Sequence, residues 1–163
     1  SAVGPFLRHV RPGSIVVEGL TAGSLPRVCR AAKKIPLVVA LPAVFFENQI
    51  PQIVELLTAC KSLGVTVEVN SWGGWQLARS TGLKMEGGPG LPVLNSLAAR
   101  KLNQLGLRSV TLSVEADRRK LEEVTAHCPV ACSLVVFGRP PLTPRPADDI
   151  KAGFEPTTPL MRG

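Results

Sequence analysis

The sequence predicts an α/β fold in which parallel strands form a (β/α) barrel-like domain. Short apolar runs rich in β-branched residues alternate with amphipathic helical patterns along the chain, and three of the five helical patterns are followed by glycine. An alternating order of strands and helices requires parallel strands joined by right-handed crossovers. Six strands are predicted, whereas a TIM-type barrel has eight. We therefore expect an incomplete barrel of that type.

The six predicted strands are bounded by glycine or proline, as short strands usually are. They cover residues 14–19, 36–41, 65–70, 83–86, 109–115 and 131–138. A doubly wound nucleotide-binding sheet is the alternative arrangement for this order of elements. Since no strand is followed by G-x-G-x-x-G or by a phosphate loop ending in GK[ST], that alternative lacks its main motif.

The five predicted helices lie between the strands, at residues 25–34, 49–63, 75–81, 92–105 and 118–127. Ser24 and Asp117 are the expected N-caps of the first and the fifth helix. Gly64, Gly82 and Gly106 are expected to end the second, third and fourth helices.

The domain prediction assigns residues 1–142 to the barrel-like domain and residues 143–163 to a proline-rich extended tail. Apolar residues make up 45% of the chain, which excludes a disordered protein. No apolar run approaches the roughly 18 residues of a membrane span, so we expect no membrane partner.

The net charge of +7 permits an anionic partner such as RNA. The four cysteines lack metal-binding spacing, which favours free thiols and a cytoplasmic protein.

Three of the predicted strands carry polar residues on one face only, although strands of a parallel sheet are usually apolar on both faces. Because helices cover the outside of a barrel, we expect this polar face to point toward the barrel axis. Buried polar groups must pair, remain hydrated or bind a ligand. The polar positions are Thr66, Glu68, Asn70, Lys84, Glu86, Ser109, Thr111, Ser113 and Glu115.

These positions predict a site at the carboxyl ends of the strands. Glu86 and Glu115 are candidate acid and base, with hard-metal binding together with Glu68 as the disfavoured alternative. Ser113 is a candidate nucleophile, and Arg139 is expected at the rim of the site. Asn70, Ser71, Trp72 and Glu68 are candidate substrate-binding residues. Like-charged carboxylates close together predict that at least one has a raised pKa.

Glycines 87, 88 and 90 precede the fourth predicted helix. Their backbone could approach an anion at the N-terminus of that helix, or simply form a tight turn. Both interpretations remain open at this stage.

Four segments of the sequence, at residues 67–74, 89–99, 105–115 and 135–142, resemble the collagenase-like peptidase family U32. The more specific pieces are L-S-x-E, which ends at Glu115, and G-R-P-P-L, which contains Gly138 and Arg139. The resemblance implies a (β/α) barrel, a peptidase activity and site roles for Asn95, Ser113, Glu115 and Arg139. Some members of the family are associated instead with hydroxylation of RNA bases or of a quinone precursor, using an iron–sulfur cluster.

The cluster-type members carry their cysteines after the G-R-x-P-L segment, and this chain has none beyond Cys132. We therefore expect no cofactor in this chain. The expected function is that of a peptidase-like hydrolase. The alternatives are an RNA-modifying or RNA-binding domain and a non-catalytic binding domain. An incomplete barrel has two exposed sheet edges, which predicts a possible homodimer.

Overall fold

The computed structural model describes residues 12–136. The predicted tail at 143–163, Arg139 and the end of the sixth predicted strand lie outside these residues. Six strands are present in the described part: β1 (Ile15–Val17), β2 (Leu37–Ala40), β3 (Thr66–Val69), β4 (Met85–Gly87), β5 (Leu107–Thr111) and β6 (Ala131–Ser133). Five α-helices alternate with them: α1 (Leu25–Ala32), α2 (Ile50–Leu63), α3 (Trp72–Arg79), α4 (Ser96–Gln104) and α5 (Arg118–His127).

The strands form one parallel sheet in the order β1-β2-β3-β4-β5-β6, so each strand pairs with the next one along the chain. The sheet curls into a half-barrel with the helices interleaved between its strands. A doubly wound sheet would reverse its strand order at one point, and this sheet does not. The prediction of an incomplete (β/α) barrel-like fold is therefore confirmed.

The hydrophobic core lies between the sheet and the helices. Val39 of β2, Val67 and Val69 of β3, and Val110 of β5 are at most 1% exposed. From the helices, the core receives the buried residues Leu25, Leu57, Cys60, Ala78, Ala99, Leu102 and Val124. Burial of this continuous aliphatic surface accounts for most of the favourable free energy of folding.

Two helices begin several residues away from the predicted positions, and in both an N-cap side chain accepts a hydrogen bond from the first turn. Helix α3 begins at Trp72 rather than residue 75, because the Ser71 hydroxyl accepts a hydrogen bond from the Gly74 amide. Helix α4 begins at Ser96 rather than residue 92. Val93 is held in an isolated parallel bridge with Leu112, and Asn95 is the N-cap. Helix α5 has the predicted bounds, with Asp117 as its N-cap.

Two strands also differ from the prediction. Strand β4 begins at Met85 rather than residue 83, and the Leu83 amide donates a hydrogen bond to the Thr81 hydroxyl instead. Strand β5 starts two residues earlier than predicted and ends at Thr111, and its register against β4 shifts between Met85 and Gly87.

The described sheet is open, with β1 and β6 as its edges. Self-association through these edges stays a prediction. The longest helix of residues 12–136, α2, has 14 residues. No helix in that range is both long and apolar enough to cross a membrane.

Candidate functional site

Glu68 and Glu86 are direct register partners on the neighbouring strands β3 and β4. Both side chains are half-buried. They lie on the face opposite the core, because their neighbours in sequence, Val67 and Met85, are buried among the core residues. The alternation of polar and apolar residues therefore predicted correctly that these two side chains share one face of the sheet.

Burial raises the pKa of the Glu68 carboxyl above its ordinary value. The negative charges of Glu18 and Glu86 raise this pKa further, and a hydrogen bond from Asn70 opposes part of the increase. The pKa of Glu68 shifts in the expected direction, but burial, rather than the neighbouring carboxylates, is the main cause. The carboxyl of Glu68 therefore keeps its proton to a higher pH than a free glutamate does, which is the property required of a proton donor.

Asn70 connects the glutamate pair to the rest of the site. Its Nδ2 donates to Glu68 Oε1 at 3.0 Å and to the Leu41 carbonyl at 3.2 Å. Its Oδ1 accepts from the Gly90 amide at 3.1 Å. The side chain is buried and fixed on both of its ends, so it positions the Glu68 carboxyl relative to the loop that follows β4.

The loop after β4 lies directly over Glu68 and Asn70. A Cβ at Gly88 would collide with both of their side chains, and a Cβ at Gly90 would collide with the Asn70 carbonyl. The Gly88 amide donates to the Val69 carbonyl, and the Gly90 amide donates to Asn70. These two amides already have partners within the protein, so the glycines are explained by close packing rather than by anion binding.

A pocket of about 580 Å³ opens beside Asn70, at the carboxyl end of β3. This volume is within the range of small-ligand sites. Its polar groups come from Asn70, Ser71 and Lys101, whereas most of its wall is apolar. The complete lining is Ala43, Asn70, Ser71, Trp72, Gly90, Leu91, Pro92, Ala98, Lys101 and Leu102.

Two tryptophans of α3 stand at this end of the sheet. Trp72 lines the pocket and is 56% exposed. Its ring meets that of Trp75 edge to face, with centroids 6.0 Å apart. Trp75 is held in turn by a hydrogen bond from Nε1 to the Leu105 carbonyl at 3.1 Å and by the Arg79 guanidinium over its ring. The Trp72 ring is therefore accessible from solvent and packs against the Trp75 ring, which other contacts hold in place.

Ser71 and Asn95, predicted as binding residues, are the N-caps of α3 and α4. Each side chain accepts a hydrogen bond from the first turn of its helix. Ser71 also lines the pocket, whereas Asn95 is exposed and is not among the lining residues.

Ser113 and Glu115 follow the end of β5. Ser113 is buried, and its hydroxyl accepts a hydrogen bond from the Glu115 amide at 3.3 Å. Glu115 itself is exposed, in a turn. Strand alternation does not apply in a turn, so it does not orient Glu115 toward Glu68 and Glu86. A catalytic role for Glu115 or Ser113 stays a prediction, and Arg139 lies outside the described residues.

The sequence reasoning missed Lys101 and the apolar wall of the pocket. Lys101 lies on helix α4, and no sequence signal shows which loop that helix packs beside. Among residues 12–136, no group of three or more histidine, cysteine, aspartate or glutamate side chains could hold a metal ion.

No family model, curated protein or solved structure matches this chain. The resemblance to the collagenase-like peptidases therefore rests on the sequence motifs alone and stays a prediction.

Proposed function

We propose that this half-barrel is the domain of a hydrolase that acts on peptide bonds, with Glu68 and Glu86 as its acid–base pair. The observation that carries the proposal is the register pairing of two half-buried glutamates, one of which has a raised pKa. Two carboxyl groups in unequal environments can differ in protonation near neutral pH. The motif resemblance supplies the reaction class.

In the proposed reaction, Glu86 acts as the base and takes a proton from a water molecule as the oxygen of that water attacks the scissile carbonyl carbon. Glu68 acts as the acid and gives a proton to the departing amide nitrogen as the carbon–nitrogen bond breaks. The products are a carboxylic acid and an amine, and Glu86 returns its proton to Glu68 through solvent. Asn70 holds the Glu68 carboxyl by its hydrogen bond, so Asn70 is a positioning residue.

The pocket beside Asn70 is the proposed binding site for a substrate side chain. Its mostly apolar wall and the accessible ring of Trp72 suit an apolar or aromatic group. Lys101 on the same wall suits a carboxylate of the substrate.

The proposal includes a cytoplasmic location, which the four free cysteines support.

The test is cleavage of denatured collagen and of a peptide library, with products identified by mass spectrometry. We expect Glu68→Gln and Glu86→Gln each to lower the rate by about 100-fold or more, the usual contribution of a general acid or base. Glu55→Gln, an exposed change on α2, is the matched control and should leave the rate unchanged. Glu115→Gln should have a smaller effect than either change in the pair. Absence of cleavage by the unaltered chain, or full activity of Glu86→Gln, would overturn the proposal.

RNA binding is the second candidate, and the exposed Trp72 beside Lys101 favours it. An aromatic ring and a cation on one wall can stack a base and contact a phosphate. RNA affinity that falls steeply with salt and is lost in Trp72→Ala would support this function. A non-catalytic binding domain is what remains if neither cleavage nor RNA binding occurs.

A further inference from the structure

Four cations lie on helix α1 and in the turn directly after it. Arg27 and Arg30 are three residues apart on α1 and therefore neighbours on its surface, and Lys33 and Lys34 belong to the turn that ends the helix. All four side chains are exposed. The sequence has no aspartate or glutamate between positions 18 and 47, so this part of the chain carries four positive charges and no negative one. These four residues form the α1 basic surface.

The charges of the α1 basic surface are not neutralised within the described part of the protein. Among residues 12–136, ion pairs join Arg118 to Glu122 and Lys120 to Glu123, all on helix α5, and none involves the α1 basic surface. Helix α5 thus carries its own counter-charges, whereas α1 carries none. Like charges close together repel one another, and an anionic partner relieves that repulsion.

Lys33 has a backbone conformation that favours glycine. Its φ is 56° and its ψ is −114°, and it is the one non-glycine residue with a positive φ in the described part of the chain. The Ile35 amide donates to the Ala32 carbonyl at 3.1 Å, which closes a turn of type II′ geometry with Lys33 as its first central residue. A side chain at this position costs free energy, and such strain is typical of functional positions. The strained conformation therefore points to a role for the Lys33 charge.

The composition of the α1 basic surface indicates which anionic partner it fits. The apolar residues Leu25, Val28 and Ala32 of α1 are buried, so they cannot insert into a lipid surface. The cores of protein–protein interfaces are rich in apolar and aromatic residues and poor in lysine. Single-stranded nucleic acid is held largely by stacking on aromatic rings, and residues 19–36 contain no aromatic residue. The surface therefore fits a duplex that is recognised through its phosphates.

We propose that the α1 basic surface binds double-stranded RNA through the phosphates of its backbone. Proteins recognise duplex RNA mainly by its shape and by contacts to phosphates and 2′-hydroxyls, because side chains cannot read its deep, narrow major groove. The two arginines contact phosphates from the helix, and the two lysines contact them from the turn. Binding is therefore independent of base sequence. The surface does not include the glutamate pair or Trp72, so the inference depends on neither function proposed above.

The experiment measures binding of the full chain to a fluorescent RNA duplex at several salt concentrations. The logarithm of the affinity should fall linearly with the logarithm of the salt concentration, and a duplex of different sequence should bind equally well. Arg27→Gln/Arg30→Gln should lower the affinity by about tenfold or more and reduce the slope by about 2, because each phosphate contact contributes about 1. The matched control Arg118→Gln/Lys120→Gln removes the same charge from ion-paired positions and should have a much smaller effect.

Two single variants separate binding from folding and from the pocket. Lys33→Gly removes a charge and relieves the strained backbone, so the slope should fall by about 1 while the urea midpoint of unfolding should not fall. Trp72→Ala should leave the affinity for the duplex unchanged, because Trp72 belongs to the pocket.

Several results would overturn the proposal. They are absence of duplex binding, equal losses in the two double variants, and displacement of the duplex by an equal charge of polyglutamate or of anionic vesicles. In the Trp72→Ala variant, which lacks the aromatic ring of the pocket, tighter binding of single-stranded RNA or of duplex DNA than of duplex RNA would also overturn it.

Discussion

The two faces of strand β3 are stabilised by different kinds of interaction. On one face, Val67 and Val69 are 0% exposed and belong to the hydrophobic core. On the other face, the half-buried Glu68 is tied by a hydrogen bond to Asn70, just beyond the strand. Apolar contacts are non-directional and tolerate changes that conserve volume. Hydrogen bonds need particular donors and acceptors, so fewer substitutions are tolerated on the polar face than on the apolar face.

The largest expected effect comes from opening a cavity on the apolar side. Leu57, on the helix α2 that packs against β3, is 1% exposed. Leu57→Ala should lower the free energy of unfolding by about 3 kcal/mol, because apolar contacts are lost and a cavity remains. Urea denaturation measures this change. Leu97→Ala is the control, because Leu97 is 71% exposed on α4, and it should change stability by less than about 0.5 kcal/mol. Similar losses in both variants would contradict the position of the core.

The second effect tests the polar side. Asn70→Ala removes the hydrogen bonds to the Leu41 carbonyl, to Glu68 and from the Gly90 amide. The expected loss is about 2 kcal/mol, because buried groups are left without partners. Asn103→Ala, an exposed asparagine on α4, is the matched control and should have little effect. If the two alanine variants are equally stable, the network around Asn70 does not contribute to stability as the structure indicates.

The smallest effect concerns the pH dependence of stability. The raised pKa of Glu68 means that the folded protein binds a proton more tightly than the unfolded chain does. The free energy of unfolding therefore falls as pH rises from the ordinary value of 4.5 through the raised value. Glu68→Gln should remove this decrease, so the variant should be the more stable one at neutral pH.

Denaturation curves measured from acid to neutral pH test this sign. The glutamine can still accept the hydrogen bond from Asn70, so the comparison isolates the charge. Glu55→Gln, on the surface of α2, should leave the pH profile unchanged. A profile for Glu68→Gln that follows the unaltered protein would show that the Glu68 carboxyl has an ordinary pKa.

Strand alternation predicted correctly that Glu68 and Glu86 lie on the same face of the sheet. Glu68 and Glu86 lie within regular strands and Asn70 directly follows one, and there a period of two determines which face each side chain occupies. The αβ rhythm and the helix-ending glycines were likewise sufficient for the parallel sheet and its barrel-like curvature.

The prediction failed where regular structure ends. Strand β5 ends at Thr111, and Glu115, predicted at the end of that strand, lies in a turn. Asn95 was assigned to the site by resemblance; in the structure it caps α4 and does not line the pocket, and its binding role stays a prediction. The pocket could not be predicted, because its wall joins the loop after β4 to a helix face. Their relative position depends on packing between distant parts of the chain.

The consecutive strand order has a consequence for how the chain folds. Register partners on neighbouring strands are between 18 residues apart, as for Val67 and Met85, and 28 residues apart, as for Val38 and Thr66. The entropic cost of closing a loop grows only with the logarithm of its length, so these extremes differ by about 0.4 kcal/mol. No strand in the described part must wait for a distant segment before it can pair. Each βα unit can add to the one before it, so the sheet can assemble in the direction in which the chain is synthesised.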